Sequence, residues 1–259
     1  MVVSEHTKQP RTQAGSLVEI FSGIQGEGLY VGRRQIFIRL CGCNLDCDYC
    51  DTDASRRVPS VCRVERTAGA RDFAQFPNPL DLDRVIEYVA SLNEPLGLHH
   101  AAVLTGGEPL DDVEWATAIA CGLKESSVPV MLETNGTLTG NLTTILPFVD
   151  FVSMDIKLLS ASGHNPCAAH EEFISVAAAR DLYVKAVVCS TTSDEEMSSA
   201  ACMVERAGRG IPLVIQPVTR KGGVRPPSAE QMLGWQSLCA RHLDDVRVIP
   251  QCHRILGQL

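Results

Sequence analysis

The period of the apolar positions changes along this chain of 259 residues. Apolar runs from Val18 to Phe21 and from Gln35 to Leu40 (Gln-Ile-Phe-Ile-Arg-Leu) predict strands. Gly23, Gly26, Gly28 and Gly32 make the stretch between them a glycine-rich loop. Further on, Leu82, Val85, Ile86 and Val89 recur at helical spacing behind Asp81, a candidate N-cap. Short buried runs then predict strands at Ala101 to Leu104, Val128 to Leu132, Phe151 to Met154, Tyr183 to Val188, Leu213 to Gln216 and Val246 to Ile249. Helical patterns lie between them at Val113 to Leu123, Asn141 to Leu146, Glu171 to Arg180, Glu195 to Arg206 and Ala229 to Ala240.

Regular alternation of strand and helix predicts an α/β fold with parallel strands covered by helices. About six βα units fall short of the eight of a closed barrel, so a partial, open parallel β/α barrel is expected. Its chemistry should sit at the C-terminal ends of the strands. The polar and glycine-bearing segments do follow strands: the cysteine loop after Leu40, Thr105-Gly-Gly-Glu108, Glu133-Thr-Asn135, Asp155-Ile-Lys157 and Gln216-Pro217. Residues 1–15 are polar and aperiodic and read as a flexible tail. Residues 16–259 read as a single domain with an insertion or long loop at about 54–79, closed by Asn78-Pro79.

Composition narrows the class. At 45% hydrophobic the chain can bury a sizeable core. A net charge of −8 argues against a broad nucleic-acid-binding face. Eleven cysteines spread through long periodic segments do not form a secreted disulfide scaffold. No secretory or membrane-spanning segment is evident, and a reducing cytoplasm is the expected home.

The sharpest chemical signal is Cys43, Cys47 and Cys50, spaced C-x3-C-x2-C within Arg39-Leu-Cys-Gly-Cys-Asn-Leu-Asp-Cys-Asp-Tyr-Cys-Asp-Thr52. Three thiolates can hold three irons of a [4Fe–4S] cluster and leave the fourth open to a ligand, whereas electron carriers supply four cysteines per cluster. Structural zinc needs four ligands, and the distant candidate for the fourth is Cys62. Cys41 lies outside the spacing and reads as packing against the strand end.

The triplet after a strand, followed one βα unit later by Thr105-Gly-Gly-Glu-Pro109, resembles the radical S-adenosylmethionine superfamily. That resemblance implies a [4Fe–4S] cluster on Cys43, Cys47 and Cys50, with S-adenosyl-L-methionine on the open iron. It implies cofactor contacts from Tyr49, Asp51, Gly107, Glu108, Ser153, Asp155, Lys157, Gln216 and Pro217. An electron donor such as flavodoxin or ferredoxin is implied as partner. A narrower set, Glu19-Ile-Phe-Ser-Gly-Ile-Gln-Gly-Glu-Gly28, Arg39, Cys-Asp-Thr52 and Ile-Pro-Gln-Cys-His-Arg254, is similar to the 7-carboxy-7-deazaguanine synthase family. That family acts on 6-carboxy-5,6,7,8-tetrahydropterin. The likeness makes Ile24, Gln25, Gly26, Glu27, Arg39, Thr105 and His253 candidate substrate contacts, Thr52 a candidate Mg²⁺ ligand, and a homodimer the expected assembly. The residue types suit a pterin. An amide and a carboxylate can read its donor–acceptor edge, and Arg39 can meet its carboxylate bidentately. Ser153-Met-Asp-Ile-Lys157 departs from the Ser-Pro-Lys of several family members. It also resembles the activating enzymes of glycyl-radical proteins, a competing reading; a zinc-binding interaction module is another.

Overall fold

The computed structural model describes residues 13–220 and 223–258. In chain order its strands and helices are β1 (Ala14–Gly15), β2 (Leu17–Ile24), β3 (Arg34–Leu40), β4 (Val61–Glu65), β5 (Phe73–Pro77), β6 (Leu80–Asp81), α1 (Leu82–Leu92), β7 (Ala102–Gly106), α2 (Val113–Glu125), β8 (Val130–Thr134), α3 (Thr139–Ile145), β9 (Phe151–Ile156), α4 (Leu159–Ser162), α5 (Cys167–Ala177), β10 (Asp181–Val188), α6 (Asp194–Ala207), β11 (Leu213–Pro217), α7 (Ala229–Cys239), β12 (Val246–Val248) and α8 (Cys252–Ile255). Ten strands form one sheet in the order β12-β11-β10-β9-β8-β7-β3-β2-β4-β5. From β3 to β12 every neighbouring pair is parallel. Six crossovers separate those seven strands, as the alternation predicts. The two edge strands do not pair with each other, so the sheet is open.

Period two decides which side chain faces which layer. Ile36, Ile38, Leu40, Ala102, Leu104, Val130 and Leu132 point into the large core that also holds Ile119, Leu123 and Ile145 from the helices. Their alternates Phe37, Val103, Met131, Tyr183 and Val214 form a second, smaller apolar cluster on the other face. Two residues further along the same strands, that second face turns polar, at Arg39, Thr105, Glu133, Lys185 and Gln216. The register brings them level: Arg39 pairs Thr105, Glu133 pairs Ser153, and Lys185 pairs Asp155. One face therefore carries an apolar floor and a polar rim at the strands' C-terminal ends.

Three expectations shift. Segment 54–79 is not a loop. It holds a short 3₁₀ turn at Asp53–Arg56 and the antiparallel hairpin β4–β5, which extends the sheet through the parallel pair β2–β4. Cys62 and Val64 enter the core while Arg63 turns the other way, over the Phe73 ring at 4.3 Å. That alternation was hidden because the face opposite the core mixes Arg63 and Gln75 with the apolar Val61 and Phe73, and the two strands are only five residues each. Of the N-terminal stretch read as a tail, residues 1–12 lie outside the described residues, and Ala14–Gly15 pairs with Leu80–Asp81. Finally, β9 continues to Ile156, so Asp155 is a strand residue rather than the start of a loop.

Candidate active site

The polar rim surrounds a cavity of about 560 Å³. The triplet loop forms one wall. Cys43, Cys47 and Cys50 form no disulfide, are half-buried, and all line the cavity. They lie near enough to act on one another electrostatically, and burial pushes the Cys43 and Cys47 thiols up. Few backbone bonds stabilise the loop itself; one runs from the Cys50 N–H to the Cys47 carbonyl at 3.1 Å. Its position is set by β7 instead. The Glu108 N–H donates to the Gly42 carbonyl at 2.8 Å, and a Cβ at Gly107 would stand 1.8 Å from that same oxygen. Only glycine lets the turn come this close.

Glu108 itself does not line the cavity. It is 1% exposed and accepts from the Leu110 N–H (3.0 Å), the Thr134 hydroxyl (2.8 Å) and the Asn135 N–H (2.7 Å). Burial outweighs these bonds and raises its pKa to about 7. Glu108, an expected cofactor contact, is thus occupied in tying the turn after β7 to the turn after β8. Pro217, the last residue of β11, does not line the cavity either.

The other cofactor candidates do. Lys157 donates to Tyr49 Oη and to Asp155 Oδ2, both at 2.9 Å. Burial alone would lower the Lys157 pKa, but Asp155 and Tyr49 beside it hold it well above the ordinary value. Asp155 Oδ1 and Gln216 Oε1 are buried without a hydrogen-bond partner. Both residues line the cavity, beside Ser153. Two orphaned acceptors call for a donor-bearing ligand. With the three thiols they fit an iron–sulfur cluster carrying a cofactor rich in amino and hydroxyl groups.

The opposite wall is built differently, from segments far apart in sequence. Gln25 is 3% exposed; its Nε2 donates to Gln35 Oε1 (2.9 Å) and Glu133 Oε1 (2.8 Å), and its Oε1 accepts from the Glu27 N–H at 3.0 Å. Thr105 donates to Glu133 Oε2 at 2.7 Å. Glu27 accepts from Lys185 Nζ and, at 2.8 Å, from Gln251 Nε2. Burial would raise the Glu27 pKa, but the Lys185 ammonium and both hydrogen bonds bring it down to about 2. Arg39 Nε donates to Glu19 Oε1 at 3.0 Å, the two being cross-strand partners. Thr52 donates to the Gly106 carbonyl at 3.2 Å. Ile24 and Gly26 complete the wall, and the C-terminal segment closes it: the Cys252 N–H donates to the Gly26 carbonyl at 2.8 Å, and His253 packs where a Gly26 Cβ would be. Glu27, Asp51 and His253 offer ligand atoms within 4.8 Å of one another, but Gln251 and Arg254 already bond Asp51.

The structure thus brings together every site residue expected from the sequence except Glu108 and Pro217. It adds Glu19, Glu133, Lys185 and Gln251, to which the sequence reading gave no contact role, and Gln35 behind Gln25. Lys185 had a signal, being the one charged residue in the apolar run Tyr183 to Val188. Cys62 is fully buried in the core, away from the cavity, so it supplies no fourth ligand for zinc at the triplet.

Parallel strands whose C-terminal rim carries three cysteines outside any disulfide around one cavity define a class. A family model described as the radical SAM superfamily matches residues 37–192, and the chain belongs to that superfamily. The cluster and S-adenosylmethionine come with that membership. The chain is 42% identical over 252 residues to the 7-carboxy-7-deazaguanine synthase of Geobacter sulfurreducens, covering 94% of this chain and 97% of that protein. It is 35% identical to the synthase of the same name from Methanothermobacter thermautotrophicus, covering 93% and 96%. Within the superfamily, the chain belongs to the 7-carboxy-7-deazaguanine synthases. A solved structure of QueE from Escherichia coli shares the fold with a TM-score of 0.58 at 18% identity, covering 93% of this chain and 95% of that one.

Proposed function

We propose that this enzyme is a carbon–nitrogen lyase that converts 6-carboxy-5,6,7,8-tetrahydropterin to 7-carboxy-7-deazaguanine with release of ammonia. The reaction belongs to 7-deazapurine biosynthesis. The observation that carries the reading is a single cavity with the cysteine triplet on one wall and the set Gln25, Glu27, Arg39 and His253 on the other.

Cys43, Cys47 and Cys50 would hold the cluster, while Ser153, Asp155, Lys157 and Gln216 would hold S-adenosylmethionine against it. When bound, these groups supply a carbon-centred radical able to take a hydrogen atom from the pterin. The chain's own part is aim and polarity. Arg39 has guanidinium donors beyond the Nε that Glu19 occupies, and they suit the substrate carboxylate. The Glu27 carboxylate stays ionised at neutral pH and can accept from the pterin's amino edge. The Gln25 side chain is committed to its neighbours, so its role is to position Glu27 and Glu133. Thr52 retains acceptor lone pairs and would be the protein ligand for a Mg²⁺ ion, which would supply positive charge to offset the substrate carboxylate. His253 and Gln251 close the cavity's side.

The supporting partners are a small low-potential electron carrier, flavodoxin or ferredoxin, and a second copy of the chain in a homodimer. Among the described residues no helix is long and apolar enough to cross a membrane. Anaerobically reconstituted enzyme given the carboxytetrahydropterin, S-adenosylmethionine and a reductant should form the deazaguanine acid. Formation of 5′-deoxyadenosine without that product would sink the assignment.

A further inference from the structure

Away from the cavity, Cys202, Glu205 and His242 present ligand atoms within 4.8 Å of one another. None of the three lines the catalytic cavity. Cys202 and Glu205 stand three apart on α6 and so share a helix face. His242 comes from the turn after α7, where the His242 N–H bonds the Cys239 carbonyl at 2.9 Å. The Asp244 N–H to Arg209 carbonyl bond, at 3.0 Å, ties that turn to the end of α6. The ligands thus bridge two elements whose backbones are already joined.

The donor set is a thiol, an imidazole and a carboxylate, the three protein ligand types of zinc. Cys202 Sγ lies 3.7 Å from His242 Nδ1 and 3.8 Å from Nε2. A tetrahedral zinc with bonds of about 2.3 Å to sulfur and 2.0 Å to nitrogen separates those ligands by about 3.6 Å. Glu205 Oε2 lies 2.7 Å from His242 Nδ1, a hydrogen bond in the metal-free state that must open by roughly half an ångström to admit the ion. Arg209 Nη1 donates to the other carboxylate oxygen, Oε1, at 2.7 Å and so aims Oε2 at the imidazole, the kind of outer contact that orients metal ligands. The positive charge of Arg209 also faces Asp244, at 3.5 Å. The side chains of His242 and Glu205 are 27% and 33% exposed, which leaves room for water as a fourth ligand.

We propose that Cys202, Glu205 and His242 form a second metal centre that binds a zinc ion and clamps α6 to the α7–β12 turn. It is independent of the iron–sulfur cluster and of the reaction assigned to the cavity. The test uses fully reconstituted holoenzyme, so that the triplet thiols are already held by iron. Zinc is titrated against a chromophoric chelator. Wild-type protein should retain one zinc beyond its cluster iron, and Cys202→Ala and His242→Gln should each weaken that zinc by about 100-fold or more. Both variants should keep wild-type iron content and turnover. Zinc-edge X-ray absorption should show one sulfur neighbour at about 2.3 Å. A wild-type melting temperature that rises with zinc, while those of both variants stay still, would support the clamp. Equal zinc retention in wild type and variants, a zinc shell without sulfur, or no stoichiometric zinc in wild type would each overturn the proposal.

Discussion

The two walls of the cavity are opposite in how they treat their polar atoms. On the proposed pterin side, Gln25, Thr105, Glu27 and Arg39 each have a protein hydrogen-bond partner. On the proposed cofactor side, the three thiols form no disulfide, and two buried oxygens, Asp155 Oδ1 and Gln216 Oε1, have no hydrogen-bond partner. A satisfied network is rigid before anything binds, and its members owe their stability to one another. Unsatisfied atoms cost stability in the ligand-free protein, and that cost is relieved when a ligand supplies the missing partner. One wall is finished by folding and the other by its ligand.

The largest test of that contrast lies at the metal. Cys43→Ala should abolish turnover and most bound iron, whereas Cys62→Ala should keep both and lose only packing; iron analysis and visible absorption compare them. If Cys62→Ala also loses the cluster, the thiol wall has been drawn wrongly.

Next in size is Lys185→Met, which strands Glu27 in the interior without its cation. Breaking a buried pair in this way costs about 3–5 kcal/mol, readable by chemical denaturation. The same pair sets an acid limb. The folded Glu27 pKa of about 2 lies below the ordinary 4.5, so its contribution is complete above pH 4.5 and lost as pH falls from there to about 2. That limb is on the order of 3 kcal/mol. Glu27→Gln should flatten it, and an unchanged acid limb would remove Glu27 from the account.

Two glutamines then give the cleanest opposition. Gln25→Leu leaves Gln35, Glu133 and the Glu27 N–H short of partners and should cost about 1–3 kcal/mol, a melting shift of several degrees. Gln216→Leu removes an atom that had no partner. Its melting temperature should stay within a degree or two of wild type, or rise, while the KM for S-adenosylmethionine rises by about tenfold. Equal destabilisation by both changes would erase the distinction between the walls.

Much of this was legible in the sequence, for local reasons. The triplet, the glycine turn and the strand–helix alternation are short-range patterns. So is the parity that lines up Arg39, Thr105 and Gln216, since each lies two residues beyond an inward apolar residue of its strand. What stayed hidden depends on pairing across distance. Glu19 matters because antiparallel register sets it opposite Arg39. Lys185 matters because Glu27, 158 residues earlier, needs a cation. Glu108 looked like a ligand because a carboxylate after two glycines is polar, yet three donors from neighbouring turns enclose it. The hairpin of 61–77 was masked because Val61 and Phe73 share the outward face with Arg63 and Gln75, which blurs the alternation that its apolar inward positions would otherwise show.

The bond from Gln251 to Glu27 spans 224 residues, and it bears on the order of events at the ribosome. At synthesis rates of about 5–20 residues per second, Gln251 is made on the order of 10–40 s after Cys50. For that interval the three thiols exist on a nascent chain whose cavity lacks its C-terminal segment, Gln251 and His253. Iron delivered early meets the triplet before that segment is in place; iron delivered late meets the completed cavity. The spacing of the walls along the chain makes the timing of metal delivery a variable that cells can set.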